Sequence, residues 1–244
     1  MNIVFLMGGG NIDHKDDTYP IYMAEMNEEI ILEKQIAHYR KMNPDKMVFC
    51  VRKEDIKNFN ADSVIRQSAE KAVCIEVCGM TAGSVCTALL ASEHIDNDHE
   101  LVLVAIDELI ETDPVQMLEA FRNEQCDAGV VSFRSVHPRY SFARTDSSGH
   151  VCEVAEKKPV SKNALASFYY FKRGHDFIEC AKSVIRKDSK VNNDFYISQT
   201  MNEMILRQKR IGIHHIANND FHPLKTEMQL AQYMLDLKEQ RESR

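Results

Sequence analysis

Between residues 2 and 134 short apolar runs alternate with longer segments of helical period. The runs 2–7 (NIVFLM), 46–51, 72–78, 100–107 and 127–135 have strand length and are rich in Val, Ile, Leu and Phe. Between them lie 28–42, 81–95 and 113–125, where apolar residues recur at helical spacing, and the mixed stretch 55–69, expected to be helical in part. Pro44 closes the first of these segments, and Pro114 sits in the first turn of the last. Strands separated by helices build parallel sheets, because a parallel neighbour needs a crossover long enough to be a helix. The expected class is therefore α/β: a Rossmann-like, mainly parallel mixed sheet flanked by helices. Ligands on such sheets bind beyond the carboxyl ends of the strands.

After residue 134 the texture changes. Residues 140–157 read as a hairpin turning at Asp146-Ser147-Ser148-Gly149, and 164–174 and 210–217 read as strands. Residues 176–187, 195–208 and 226–244 read as helices. No linker, repeat or low-complexity tract interrupts the chain. One domain is expected over 1–244, with a nucleotide-binding half (1–134) and an acceptor-binding half (135–244) on one sheet.

Bulk properties exclude several classes. A net charge of -7 argues against a broad nucleic-acid or anionic-membrane surface. The seven cysteines include no Cys-x-x-Cys pair and sit mostly in apolar runs, so buried free thiols are expected. No signal-peptide pattern and no bilayer-length apolar run is present, which gives a cytoplasmic expectation.

Five places carry candidate chemistry. The first strand runs through Met7 into Gly8, Gly9 and Gly10, a backbone that phosphate can approach or a tight turn. It is neither a P-loop nor a dinucleotide fingerprint. Asp107 ends an apolar strand, where a carboxylate is costly unless it is hydrated, paired or metal-bound. Mg²⁺ shared with nucleotide phosphates is one reason for it, and a helix cap is another. Glu108, Glu111 and Asp113 read as a solvated loop. Thr81, Gly83 and Ser84 open a helix, with Thr81 as N-cap and the free N–H groups offered to a base or phosphate. Glu156 and Lys157 end the hairpin, a charged turn or an anion contact. Asp194 is a second carboxylate or a cap. His214 and His215 are adjacent on a strand and face opposite sides, so they cannot share a metal.

Taken in order, these segments resemble the sugar-phosphate nucleotidyltransferase family, in particular its short capsule and surface-polysaccharide forms. IVFLMGGG resembles the opening nucleotide loop, MTAGSVCTALLA the base-recognising segment, and LVLVAID the strand that delivers a metal-binding Asp. GHVCEVAEKKPVSKNALASFYYFKRG resembles the hairpin and the sugar-phosphate segment. The resemblance implies transfer of a nucleotidyl group from an NTP to a sugar 1-phosphate or another phosphorylated metabolite. It implies nucleotide contacts from Met7, Gly8, Gly9, Gly10, Thr81, Gly83 and Ser84. Acceptor contacts fall to Glu156, Lys157 and Tyr170, and Mg²⁺ to Asp107 helped by Asp194. A homo-oligomer is compatible with it. Two cations of the pattern are missing: Asp13 stands near the place of the loop Arg, and Ile21 follows Pro20 where a Lys is expected. Lys15 is the candidate replacement and joins Asp107 and Lys157 in the implied catalytic set. The alternatives are a catalytically impaired nucleotide-binding homologue acting as a partner protein, and a glycosyltransferase of related fold. The latter would want an Asp-x-Asp motif that AIDELIETD lacks.

Overall fold

A computed structural model describes residues 1–8, 19–26 and 28–242. In chain order it contains β1 (Asn2–Met7), β2 (Glu25–Met26), β3 (Glu29–Ile30), α1 (Ile31–Arg40), β4 (Lys46–Arg52), α2 (Lys53–Phe59), α3 (Ala61–Ser68) and β5 (Val73–Val77). Then come α4 (Ser84–Leu89), α5 (Ser92–Ile95), β6 (Leu101–Ala105), β7 (Glu108–Ile110), α6 (Pro114–Asn123) and β8 (Ala128–Arg134). The chain continues through β9 (Ser141–Thr145), β10 (Val151–Glu156), β11 (Asn163–Phe171), α7 (Gly174–Arg186) and α8 (Ser198–Leu206). It closes with β12 (Ile211–His215), β13 (Phe221–Pro223) and α9 (Glu227–Glu242).

One nine-stranded sheet takes strands from both sides of residue 134. Its spine runs β10-β9-β11-β6-β1-β4-β5, with β8 pairing β11 and β12. β6, β1, β4 and β5 are mutually parallel, as the alternating pattern predicts. β11 is antiparallel to β6, with Phe168 opposite Val104, so its first residues extend past the carboxyl end of β6. There they carry the antiparallel β9–β10 hairpin beyond the carboxyl edge of the parallel strands. The fold is a mixed, mainly parallel sheet with helices on its faces.

Strand alternation sends Ile3, Phe5 and Met7 into one buried layer and Val4 into the other. The mixed stretch 55–69, expected to be helical in part, forms two helices, because Asn60 adopts a left-handed conformation (φ 52°) between α2 and α3. Likewise 81–95 divides into the short α4 and α5. Of the seven thiols, all free, Cys78 and Cys152 are exposed, which corrects the expectation of general burial.

The last helix docks through Tyr233, whose hydroxyl donates to Glu111 (2.6 Å) and accepts from Lys34 (2.9 Å). Nearby His38 has a buried Nε2 with no partner among the described residues. Burial, then the neighbouring Lys41, pushes its imidazole down to about 4. The unfolded chain takes up this proton near 6.5, the folded chain only near 4. Its contribution is therefore fully present above pH 6.5 and lost as pH falls from 6.5 through 4. Urea midpoints at pH 7.5 and pH 5 should converge in His38→Gln relative to the parent; an unchanged difference would remove His38 from the acid response.

Candidate active site

The carboxyl edge of the parallel strands gathers three groups of side chains. At the end of β1, Gly8 lies against α4: an added Cβ would meet Thr87 Cγ2 at 3.0 Å and Oγ1 at 3.4 Å. The Thr87 hydroxyl pairs with Thr81 Oγ1 (2.7 Å). Gly8 is thus linked to Thr81 through the Thr87 side chain. Met7 is 2% exposed and packs in the core, so only its backbone can reach a ligand. Gly9, Gly10, Asp13, Lys15, Asp16 and Asp17 lie outside the described residues.

The Thr81–Ser84 segment itself differs from expectation. Gly83, not Thr81, is the N-cap of α4, and no side chain caps it. Gly83 has φ 101°, and a Cβ there would lie 2.5 Å from Phe195 O and 2.6 Å from Phe195 N. Glycine is required because the 194–197 backbone runs against it. Phe195 N–H donates to Ala82 O (2.9 Å), Val85 N–H to Phe195 O (3.0 Å) and Ile197 N–H to Ser84 Oγ (3.1 Å). The first-turn N–H of Val85, expected to be open to a ligand, is thereby already used.

That pairing sets Asp194 beside Gly83 and starts the second group. Lys157 Nζ donates to Tyr196 Oη (2.7 Å) and lies 4.9 Å from that ring's centroid. The Tyr196 hydroxyl is 3.4 Å from Asp194 Oδ2. Lys157 occupies the left-handed region (φ 55°), which a non-glycine residue adopts at a cost of roughly 1 kcal/mol. Beside it, Glu156 Oε2 accepts from Ser141 Oγ and Ser198 Oγ, each at 2.6 Å. Asn202 of α8 locks β10 by bonding both Val154 N–H (2.9 Å) and Val154 O (2.7 Å).

The third group follows β6. The 106–108 turn is pinned by the fully buried Gln35, whose amide donates to Ile106 O (3.3 Å) and Glu108 O (2.8 Å). Lys225, between β13 and α9, places its ammonium 2.9 Å from Glu108 Oε1 and 3.6 Å from Asp107 Oδ2. Glu108 is buried, and its Oε2 accepts from Ser167 N–H (2.8 Å). Asp107 then Glu108 hold the Lys225 ammonium well above the usual lysine range. The solvated-loop reading of 108–113 is corrected here: Glu108 is an internal counter-ion, and Glu111 is tied to Tyr233 and held down at about 2, mainly by its contact with His222. Asp113 caps α6, accepting from Val115 N–H (3.1 Å).

Tyr170 is not part of this edge. It is 1% exposed, stacks on Phe121 (5.5 Å) and donates to Glu100 Oε1 (2.9 Å), just before the start of β6. Its neighbour Tyr169 points to the other layer; burial above all, then the nearby Glu156 and Glu108, raises its phenol. Tyr169 therefore joins the second and third groups. A further cation on the edge is Arg52, the last residue of β4. Its guanidinium grips buried Asp55 (2.6 and 3.0 Å), which also accepts from Tyr22 Oη.

Both carboxylates expected to hold Mg²⁺ have other partners in the structure. Asp107 faces an ammonium, while Asp194 belongs to the Tyr196 network. Among the described residues no three Asp, Glu, His or Cys side chains converge as metal ligands.

No family model matches the chain, and no curated protein does. Solved structures do. A nucleoside-diphosphate-sugar pyrophosphorylase from Vibrio cholerae RC9 superposes with a TM-score of 0.76 at 19% identity, over 96% of this chain and 99% of that one. A UDP-glucose pyrophosphorylase complexed with UDP-glucose gives 0.75 at 15% identity, over 98% of both chains. An apo UDP-glucose pyrophosphorylase gives 0.75 at 14%, over 99% of both. The chain has the Rossmann-like fold of these nucleotide-sugar pyrophosphorylases along nearly its whole length. Among the described residues no helix is long and apolar enough to cross a membrane.

Proposed function

We propose that the chain is a sugar-phosphate nucleotidyltransferase whose product would feed capsule or surface-glycan assembly. A phosphate oxygen of a sugar 1-phosphate, or of another phosphorylated metabolite, attacks the α-phosphorus of an NTP. One P–O bond forms there, the bond to the β-phosphate bridge breaks, and pyrophosphate leaves. The Gly8 backbone and the Thr81–Ser84 segment bind the nucleotide. Lys157, steered by Tyr196, holds the acceptor phosphate, and Glu156 binds the acceptor's hydroxyls from its seat on Ser141 and Ser198. Such a reaction needs positioning and charge, not a covalent enzyme intermediate.

The observation that carries this reading is Lys157. A cation held in a strained backbone conformation, with its ammonium fixed by Tyr196, sits at the hairpin end and is linked through Tyr196 to the segment that packs on Gly83. The full-length likeness to nucleotide-sugar pyrophosphorylases supports it further. Thermal shift with NTPs and nucleotide-sugars tests the binding half. A ligand at a hundred times its Kd should add about 2.7 kcal/mol to stability. A panel of all four bases that shifts nothing would count against any nucleotide site.

One observation favours the impaired-homologue reading. Ile21, in place of the pattern's Lys, packs against the apolar cluster of Met26, Ile31, Leu109, Leu224 and Tyr233. The position has been turned from cation to packing. Under that reading the parent binds nucleotide without turnover.

A further inference from the structure

The chain builds the same local device at opposite edges of the sheet. Arg52 closes β4, and its side chain folds onto Asp55 in the first turn of α2: Nε donates to Oδ2 (3.0 Å) and Nη2 to Oδ1 (2.6 Å). Arg173, the residue before α7, grips Asp176 in the same way, at 3.0 and 2.7 Å. Each carboxylate takes the side of the guanidinium that carries Nε. That leaves a second edge, formed by Nη1 and the outer N–H of Nη2.

The two second edges differ in surroundings. Arg173 stands at the amino edge of the parallel strands, because Phe171 pairs with Leu101 at the start of β6, and its Nη1 lies 3.7 Å from Asp98. Arg52 stands at the carboxyl edge. Val51 pairs with Met7, so Arg52 follows level with Gly8; on its other side it pairs with Val77, the strand end that leads to Thr81–Ser84. Among the described residues no hydrogen bond or ion pair engages Arg52 Nη1, and Glu54 acts on the guanidinium through space. The Arg52 side chain is 20% exposed, whereas Asp55 is fully buried and also accepts from Tyr22 Oη. The buried carboxylate therefore fixes the guanidinium from inside and leaves a pair of N–H donors at the strand end between the two segments that face nucleotide. A guanidinium fork matches phosphate oxygens, and a donor already held in place loses little freedom on binding.

We propose that Arg52 is a phosphate-binding residue of the nucleotide site, its Nη1 edge donating to the phosphates of a nucleoside triphosphate while Asp55 and Tyr22 hold it in position. The nucleotide as ligand rests on the nucleotidyltransferase reading; a polyphosphate site at Arg52 does not. Because Asp55 offsets the charge of the guanidinium, what Arg52 adds is chiefly direction: two donors aimed from a fixed base. Arg173, with the same inner pair and a carboxylate at its outer edge, is the internal control.

Calorimetry with tripolyphosphate reads the site without any turnover. Arg52→Gln should weaken binding about tenfold or more, the scale of a lost hydrogen bond to a charged group. Arg52→Lys, which keeps the charge but loses the fork, should weaken it about threefold or more. Arg173→Gln should stay within about twofold, because a strand length of roughly 17 Å, about two Debye lengths, separates the edges. A folded Arg52→Gln protein with the parent's affinity overturns the proposal, and so does a loss in Arg173→Gln as large as that in Arg52→Gln. Where neither Arg52 variant folds, NMR of the labelled guanidinium groups in the parent decides alone. Tripolyphosphate should shift the Arg52 signals and leave those of Arg173 in place. Arg52 signals that do not move at saturation, or a parent that binds no tripolyphosphate, overturn the proposal. Arg52-dependent binding in a protein that transfers no nucleotidyl group would keep this site and sink the proposed activity. Nucleotidyl transfer that Arg52→Gln leaves unchanged would keep the activity and sink the site.

Discussion

Gly83→Ala should lower stability by about 3 kcal/mol. The backbone there has φ 101° and ψ 176°, a region almost confined to glycine, so a side chain costs roughly 1–3 kcal/mol in strain. The new Cβ would also lie 2.5 Å from a backbone oxygen and 2.6 Å from a backbone nitrogen of Phe195, which no rotamer change can relieve. The 194–197 chain must move, weakening the bonds of Phe195 N–H to Ala82 O and Val85 N–H to Phe195 O (2.9 and 3.0 Å), each contributing about 1 kcal/mol. For a chain of this size the loss corresponds to roughly 6–12 °C in Tm. Gly79→Ala is the control: it also has positive φ (69°), but its Cβ would meet nothing within 4 Å. Calorimetry that finds the two variants equally stable would contradict the close approach. Because Asp194 and Tyr196 ride on the displaced segment, Gly83→Ala should also unsettle the Lys157 ammonium.

Lys157 carries the second large effect. Lys157→Met keeps the apolar stem and removes the charge, and kcat/KM for nucleotidyl transfer should fall about a hundredfold, or roughly 2.7 kcal/mol of transition-state stabilisation. Lys157→Gly separates chemistry from folding. It should lose activity to the same degree while stability stays level or rises by up to about 1 kcal/mol, because glycine relieves the left-handed backbone (φ 55°). A lysine that serves only the hairpin turn would leave turnover unchanged in both variants.

The sheet was legible because each parallel strand is a continuous apolar run between helical segments, a pattern that only burial on both faces produces. The carboxyl edge, and with it the positions of Gly8 and Asp107 at strand ends, followed from that sheet. What escaped depends on contacts distant in sequence. Glu108 reads as a loop residue until Lys225 arrives from the start of the last helix to neutralise it. The choice between Tyr169 and Tyr170 depends on strand parity. An irregularity of β11 between Leu165 and Tyr169 resets its register with β8, which a pair of adjacent tyrosines does not reveal. Tyr196 gave a weaker signal: it lies two residues after Asp194 in a segment read only as a helix. Thr81 failed as a cap because the 194–197 strand-like segment, not a side chain, satisfies the start of α4.

The most direct measurement of the central claim is isotope exchange. Labelled pyrophosphate is incubated with the protein and a panel of nucleotide-sugars, and NTP is assayed for label. Reversal of nucleotidyl transfer should place label in NTP only when the matching nucleotide-sugar is present, and Lys157→Met should reduce that rate about a hundredfold. No label above background with any nucleotide-sugar, from a protein whose melting temperature those same ligands raise, would contradict catalysis and leave a nucleotide-sugar-binding homologue.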